Sequence, residues 1–258
     1  MALPKIYKDF YEQRVFDFED VNRRYKGKNT VGSLRIMLHN GKTNGYIGSI
    51  KRGLYYIIPQ DFSKENYVVD KYLIASKVSP TGILAYHSAL ELHGAAQSFF
   101  NRVFILSDQR ITNFNFQKTF FIGIRGDSSF GRTTVLREGI SVHVADKERA
   151  LIDGIDRLKY VGGIEEYLKS IEVLPSVNFQ RILEYLRQYK KQSLYSKTGY
   201  ILSLFEKKWS FPDNVRKKLK SKLRKKVYYL AGKEDEGRFN KEWNLIVPGD
   251  LRELLKVS

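Results

Sequence analysis

The chain has 258 residues, enough for two domains or one large one, and carries 45 Lys and Arg against 28 Asp and Glu, a formal net charge of +17. That excess favours nucleic acid or another anionic surface as partner. Cysteine is absent, which excludes a disulfide framework and any cysteine metal site, and the four His are too scattered for a zinc site. The segment MALPKIYKDFYEQRVF lacks the continuous apolar stretch of a secretion signal, and no apolar run approaches the length of a membrane span. The expectation is a soluble, cytoplasmic protein with no cofactor and no metal. Apolar residues are 42% of the chain, enough to build real cores.

In chain order, residues 4–12 read as a short helix. Asp17 can cap a helix over FEDVNRRY, with Glu19 and Asp20 in its first turn, where they suit the helix dipole. Asn29 or Thr30 can cap the next helix, whose core face takes Val31, Leu34 and Met37 or Leu38. The run 39–41 (HNG) stops it. Residues 45–50 and 54–58 then read as a hairpin around Lys51-Arg52-Gly53, and Pro59 closes the unit. A helix followed by a basic hairpin is the order of a winged helix-turn-helix, so residues 1–60 are predicted to be a DNA-binding domain. Residues 21–60 hold eight Lys or Arg and no acid.

A second unit, 66–258, is predicted to be a larger mixed α/β domain, giving an α+β chain overall. Its first part, about 66–160, has VVDKYLIASKV and ILAYHSALELHG as helices, the second ended by Gly94. RVFILS, TFFIGIRG, TTVLR and ISVHVA follow as strands of a small sheet, and Asp146 caps a helix over KERALIDGIDRL. The part from about 161 to 258 reads as mainly helical. Val215, Leu219, Leu223 and Val227 recur every four residues among Lys and Arg, predicting a basic amphipathic helix near 214–226. VYYLAG and EWNLIVP near the end are strand-like.

The residues that carry chemistry point to binding. On the helix over 29–39, Ser33 and Arg35 are candidates to reach base edges, and Asn29 and Thr30 can meet phosphate near its start. Lys51 and Arg52 at the hairpin tip can reach backbone or minor groove. Arg23, Arg24, Lys26 and Lys28 add electrostatic positioning. A second nucleic-acid surface is offered by Arg216, Lys217, Lys220, Arg224 and Lys225, for DNA or RNA. The competing reading is a helix that buries its apolar stripe and leaves its charges in water. No catalytic residue is assigned: His87, His93 and His143 read as structural, and a phosphate-binding glycine loop is absent. Asp146, Glu148, Asp153 and Asp156 would make a metal-dependent nuclease site only if folding gathered them.

Several segments, taken in order, resemble the AbiEi family of antitoxins and transcriptional regulators. IKRGLYYIIP resembles the family's wing, ILAYHSALELHGAA the helix opening the second region, and SKTGYILSLF a later helix. VHVADKERALIDGIDRLKYVGGIEEYL resembles its most distinctive stretch. The resemblance runs from about residue 16 to 248. It implies an N-terminal winged domain that binds repeats in the operon promoter and represses it. It also implies a larger domain that counteracts a nucleotidyltransferase toxin in a type IV toxin-antitoxin or phage-defence system, without a stable complex being required. The matching residues Asp146, Glu148, Arg149, Ala150, Leu151, Ile152 and Asp153 read as cap, ion pair and packed helix. A general winged-helix regulator without a toxin partner stands as the alternative.

Overall fold

A computed structural model describes residues 3–232, 237–249 and 251–255. Helix α1 (Lys5–Phe10) leads into strand β1 (Val15–Asp17), helices α2 (Phe18–Arg24) and α3 (Val31–Thr43), and the hairpin β2 (Ile47–Lys51) and β3 (Leu54–Ile57). The strands form an antiparallel sheet in the order β1-β3-β2. Asp17 closes a capping box on α2: its carboxylate accepts from the Asp20 amide at 2.8 Å, and the Asp20 carboxylate accepts from the Asp17 amide at 3.0 Å. Thr30 caps α3, its Oγ1 accepting from the Ser33 amide at 3.2 Å. Strand β1 is an addition to the sequence reading; three residues are too few to show an alternating pattern.

The two faces of this sheet belong to different cores, as strand alternation requires. Phe16, Ile47 and Ile57 pack with Ile6, Phe10, Val21, Leu34 and Leu38 in a small core of their own. Val15, Ile50, Leu54, Tyr56 and Ile58 turn the other way and join the large core of the remaining chain. Gly48 pairs with Tyr56 across the hairpin, and the tyrosine ring lies over it, where a Cβ would come within 2.1 Å. Helix α4 (Lys71–Val78) then ties the units by charge: Lys77 reaches Asp17 at 3.2 Å and Asp20 at 2.5 Å. Burial alone would raise the Asp20 pKa, but Lys77 and the Asp17 amide hold it below its ordinary value.

The second unit is built on a six-stranded sheet. Its strands are β4 (Ile83–Leu84), β5 (Arg102–Ser107), β6 (Phe114–Phe116), β7 (Thr119–Arg125), β8 (Arg132–Arg137) and β9 (Ile140–Ala145). Their order is β6-β7-β5-β4-β9-β8, with β5–β7 and β4–β9 parallel and the other pairs antiparallel. Here the structure departs from the sequence reading. The segment 83–94 is not one helix: Ile83 and Leu84 pair centrally in the sheet, Tyr86 turns the chain at φ 55°, and helix α5 covers only His87–Leu92. Its first residues are apolar throughout, a pattern that suits a buried strand as well as a helix.

Helices α6 (Lys147–Asp156), α7 (Gly163–Val173), α8 (Phe179–Tyr189), α9 (Gln192–Leu204), α10 (Glu206–Trp209) and α11 (Asp213–Lys220) follow. A small sheet of β10 (Tyr228–Tyr229), β11 (Gly237–Asn240) and β12 (Leu245–Pro248) and the short α12 (Leu251–Leu254) end the described chain. The basic helix predicted near 214–226 stops at Lys220. Val215 and Leu219 are buried, but Leu223 follows the turn at Ser221 and Lys222, half-buried against the core, and Val227 is exposed. The chain leaves the helix to bring Tyr228 and Tyr229 alongside β12.

His87, fully buried at the start of α5, stacks on Phe100 at 3.7 Å and faces the carboxylates of Glu91 at 3.8 Å and Glu166 at 3.7 Å. Burial lowers its pKa; Glu91 and Glu166 pull it back up, and Lys71 pushes it down. The folded pKa therefore lies below the unfolded value of 6.5, so His87's stabilisation is complete above that pH and is lost as pH falls from there through the lower folded pKa. As pH falls from 7 to 5 the wild type is expected to lose more stability in urea than His87→Gln, because only the wild type keeps a buried imidazole that must take up a proton. Parallel losses in the two proteins would place the acid sensitivity elsewhere.

Candidate nucleic-acid interface

Leu34, Leu38 and Gly41 are the buried positions of α3 and fix its inner face. At 100° per residue, the line directly opposite runs through Gly32, Ile36, His39 and Thr43, all exposed. Arg35 and Lys42 lie on the flank nearer the hairpin. Together with Ile36, His39, Arg52 and Tyr55 they line a groove between α3 and the β2–β3 turn that contains no acid. Ser33 sits on the opposite flank, where its hydroxyl is 2.9 Å from the Thr30 hydroxyl.

The sequence-assigned residues thus separate into groups. Arg35 and Arg52 meet in the groove. Lys28, Asn29, Thr30 and Ser33 are exposed around the start of α3. Arg23 and Arg24 are exposed on α2 but face acids, Arg23 at 3.9 Å from Asp20 and Arg24 at 3.4 Å from Asp9, which reduces the field they present. Lys51 parts company with Arg52: its ammonium lies 4.5 Å from the centre of the Phe114 ring on β6, and burial lowers its pKa. The hairpin tip therefore turns one cation toward the second unit and leaves the other in the groove. Ile36, His39 and Lys42 were not singled out from sequence. Projecting the helix from Leu34 and Leu38 identifies Ile36 and His39; Lys42 lies beyond the stop expected at 39–41, through which α3 continues to Thr43.

On the second basic surface, Arg216 is a correction. Its guanidinium lies 2.7 Å from Glu206 and 3.0 Å from Glu242 and 4.8 Å from the centre of the Phe211 ring, with the side chain only 17% exposed. It joins α11 to α10 and to the loop before β12. Lys217, Arg224 and Lys225 are exposed, and Lys220 is 3.7 Å from Glu242.

The acids of the ERALID stretch have protein partners. Asp146 caps α6 through the Arg149 amide at 2.9 Å and accepts from the Tyr185 hydroxyl at 2.5 Å. Glu148 accepts from the Asn178 amide at 2.7 Å. Asp153, buried, pairs with Arg149 at 3.2 Å and accepts from Tyr189. Asp156 pairs with Lys191 at 2.6 Å. Among the described residues no three His, Asp or Glu gather in a metal-binding arrangement. Nor is any helix among them long and apolar enough to cross a membrane.

The fold is thus a mixed α/β protein in which a small helix-and-hairpin unit shares its sheet with the core of a larger body. No family model and no curated protein matches the chain. Among solved structures, the RV2827C protein from Mycobacterium tuberculosis is similar, with a TM-score of 0.62 over 98% of this chain and 93% of that one, at 14% identity. At that identity the likeness speaks for the fold alone.

Proposed function

We propose that residues 1–60 form a winged helix-turn-helix, and that the protein is a cytoplasmic DNA-binding regulator that represses its own operon. The observation that carries this reading is the acid-free groove between α3 and the hairpin, with Arg35, His39, Lys42 and Arg52 on its walls. A helix of α3's length fits the major groove, while the flanking cations neutralise phosphates on either side. The element order α1-β1-α2-α3-β2-β3 supports it, because the sheet holds the hairpin beside α3. The back of that sheet is occupied by the large core, so α3 and the groove are the open side.

The role of the larger body as an antitoxin against a nucleotidyltransferase is proposed on the resemblance of its ADKERALIDG stretch to the AbiEi family. In the structure those residues cap, pair and pack α6, which fits a binding or scaffolding role better than a catalytic one. The test is a mobility-shift titration with the DNA upstream of its own gene against a random duplex at matched salt. Preferential binding of the upstream fragment by at least tenfold is expected; equal binding would remove autorepression. Co-expression with a nucleotidyltransferase encoded in the same operon tests the second role, with restored growth as the expected outcome.

A further inference from the structure

Ile36 is 63% exposed in the middle of α3, on the line of that helix farthest from the core. A β-branched side chain there is a slightly poorer helix former than a straight-chain one and leaves its apolar surface in water. Its neighbours on the exposed surface are Arg35, His39 and Asn40. One turn earlier stands Gly32, where an added Cβ would find only the Thr30 hydroxyl, at 3.8 Å. The outermost line of α3 thus has no side chain at 32, a branched apolar one at 36, and polar ones beyond. The groove beside it is basic and free of acid, which commits the occupant to a polyanion. Of the groups a duplex presents in its major groove, the thymine C5-methyl is the apolar one.

We propose that Ile36 reads a thymine methyl, and so makes an A·T pair a specificity determinant of the bound site. Arg35 and His39 set the helix in register on the flanking strand. This inference rests on the DNA-binding reading and adds to it a base and the residue that selects it.

The test starts from a duplex that the full chain enriches from a randomised pool. Each thymine in it is replaced singly by deoxyuridine, which removes the methyl and keeps the pairing. One such replacement is expected to weaken wild-type binding about three- to fivefold, the worth of one buried methyl. Ile36→Ala should bind the parent duplex more weakly and be indifferent to that replacement, with an unchanged salt slope; Ile36→Val should retain the discrimination. An enriched duplex in which no deoxyuridine weakens binding, or in which Ile36→Ala loses as much as wild type, overturns the assignment to Ile36 and leaves DNA binding standing. Failure to enrich any sequence overturns sequence-specific reading and this assignment with it.

Discussion

Arg149→Met is expected to destabilise the protein by about 3–5 kcal/mol, the cost of leaving one member of a buried ion pair without the other. Arg149 is 2% exposed, and its guanidinium satisfies several partners at once. It pairs with Asp153 at 3.2 Å, donates to the Asp127 carbonyl at 2.6 Å and to the Phe130 carbonyl, and lies 4.1 Å from the centre of the Phe130 ring. The arginine therefore fastens α6 to the loop joining β7 and β8. Gly131 makes room for it: at φ +57° a Cβ there would lie 2.8 Å from the arginine Cδ. Without Arg149, the Asp153 carboxylate would remain buried beside Tyr189. Burial already raises the Asp153 pKa, and Arg149 is the largest influence opposing that rise. In the variant that opposition is gone, and the folded pKa of the carboxyl would lie further above its unfolded value. Stability tied to such a group is present below the unfolded pKa and lost as pH rises through the folded one. The deficit relative to wild type should thus be smaller at pH 5 than at pH 8. Denaturant titrations of both proteins at both values read this directly. A deficit under about 1 kcal/mol, or one independent of pH, would mean that Asp153 finds another partner.

Much of this fold can be read from local chemistry. Asp17, Thr30 and Asp146 each precede a helical pattern and each caps the helix expected of it. The hairpin follows from Gly53, whose φ of 79° suits a tight turn between two apolar runs. What escaped was decided by tertiary pairing. Ile83 and Leu84 become a strand because β5 and β9 lie on either side of them. The basic helix ends at Lys220 although Leu223 and Val227 keep the four-residue spacing, since β10 must reach β12. The candidate site shows the same division. Charge and helix phase placed Arg35 on the exposed side of α3, but only packing separates Lys51, turned toward Phe114, from Arg52 in the groove. Arg216 has the same sequence character as Lys217, and its carboxylate partners come from residues ten before and twenty-six after it.

That separation sets up a comparison between the two basic surfaces. Replacing Arg35, Lys42 and Arg52 together by Gln removes three charges from the groove beside α3. Replacing Lys217, Arg224 and Lys225 by Gln removes three from the exposed surface of the C-terminal part. The net charge falls by the same amount in both. If long-range attraction alone drew the protein to DNA, the two variants would weaken alike. If the groove holds phosphates directly, each lost contact lowers the slope of log affinity against log salt by about 0.9, so the groove variant loses up to about 2.7. At moderate salt its affinity for duplex DNA should fall on the order of 10–100-fold, while the C-terminal variant changes within a few fold. All six side chains are exposed, so neither triple should disturb the fold, and coincident thermal transitions would establish that. A C-terminal variant that loses as much slope as the groove variant would move the phosphate contacts onto both surfaces. Loss confined to the C-terminal variant would transfer the interface there and leave the helix-and-hairpin unit as a structural appendage of the larger core.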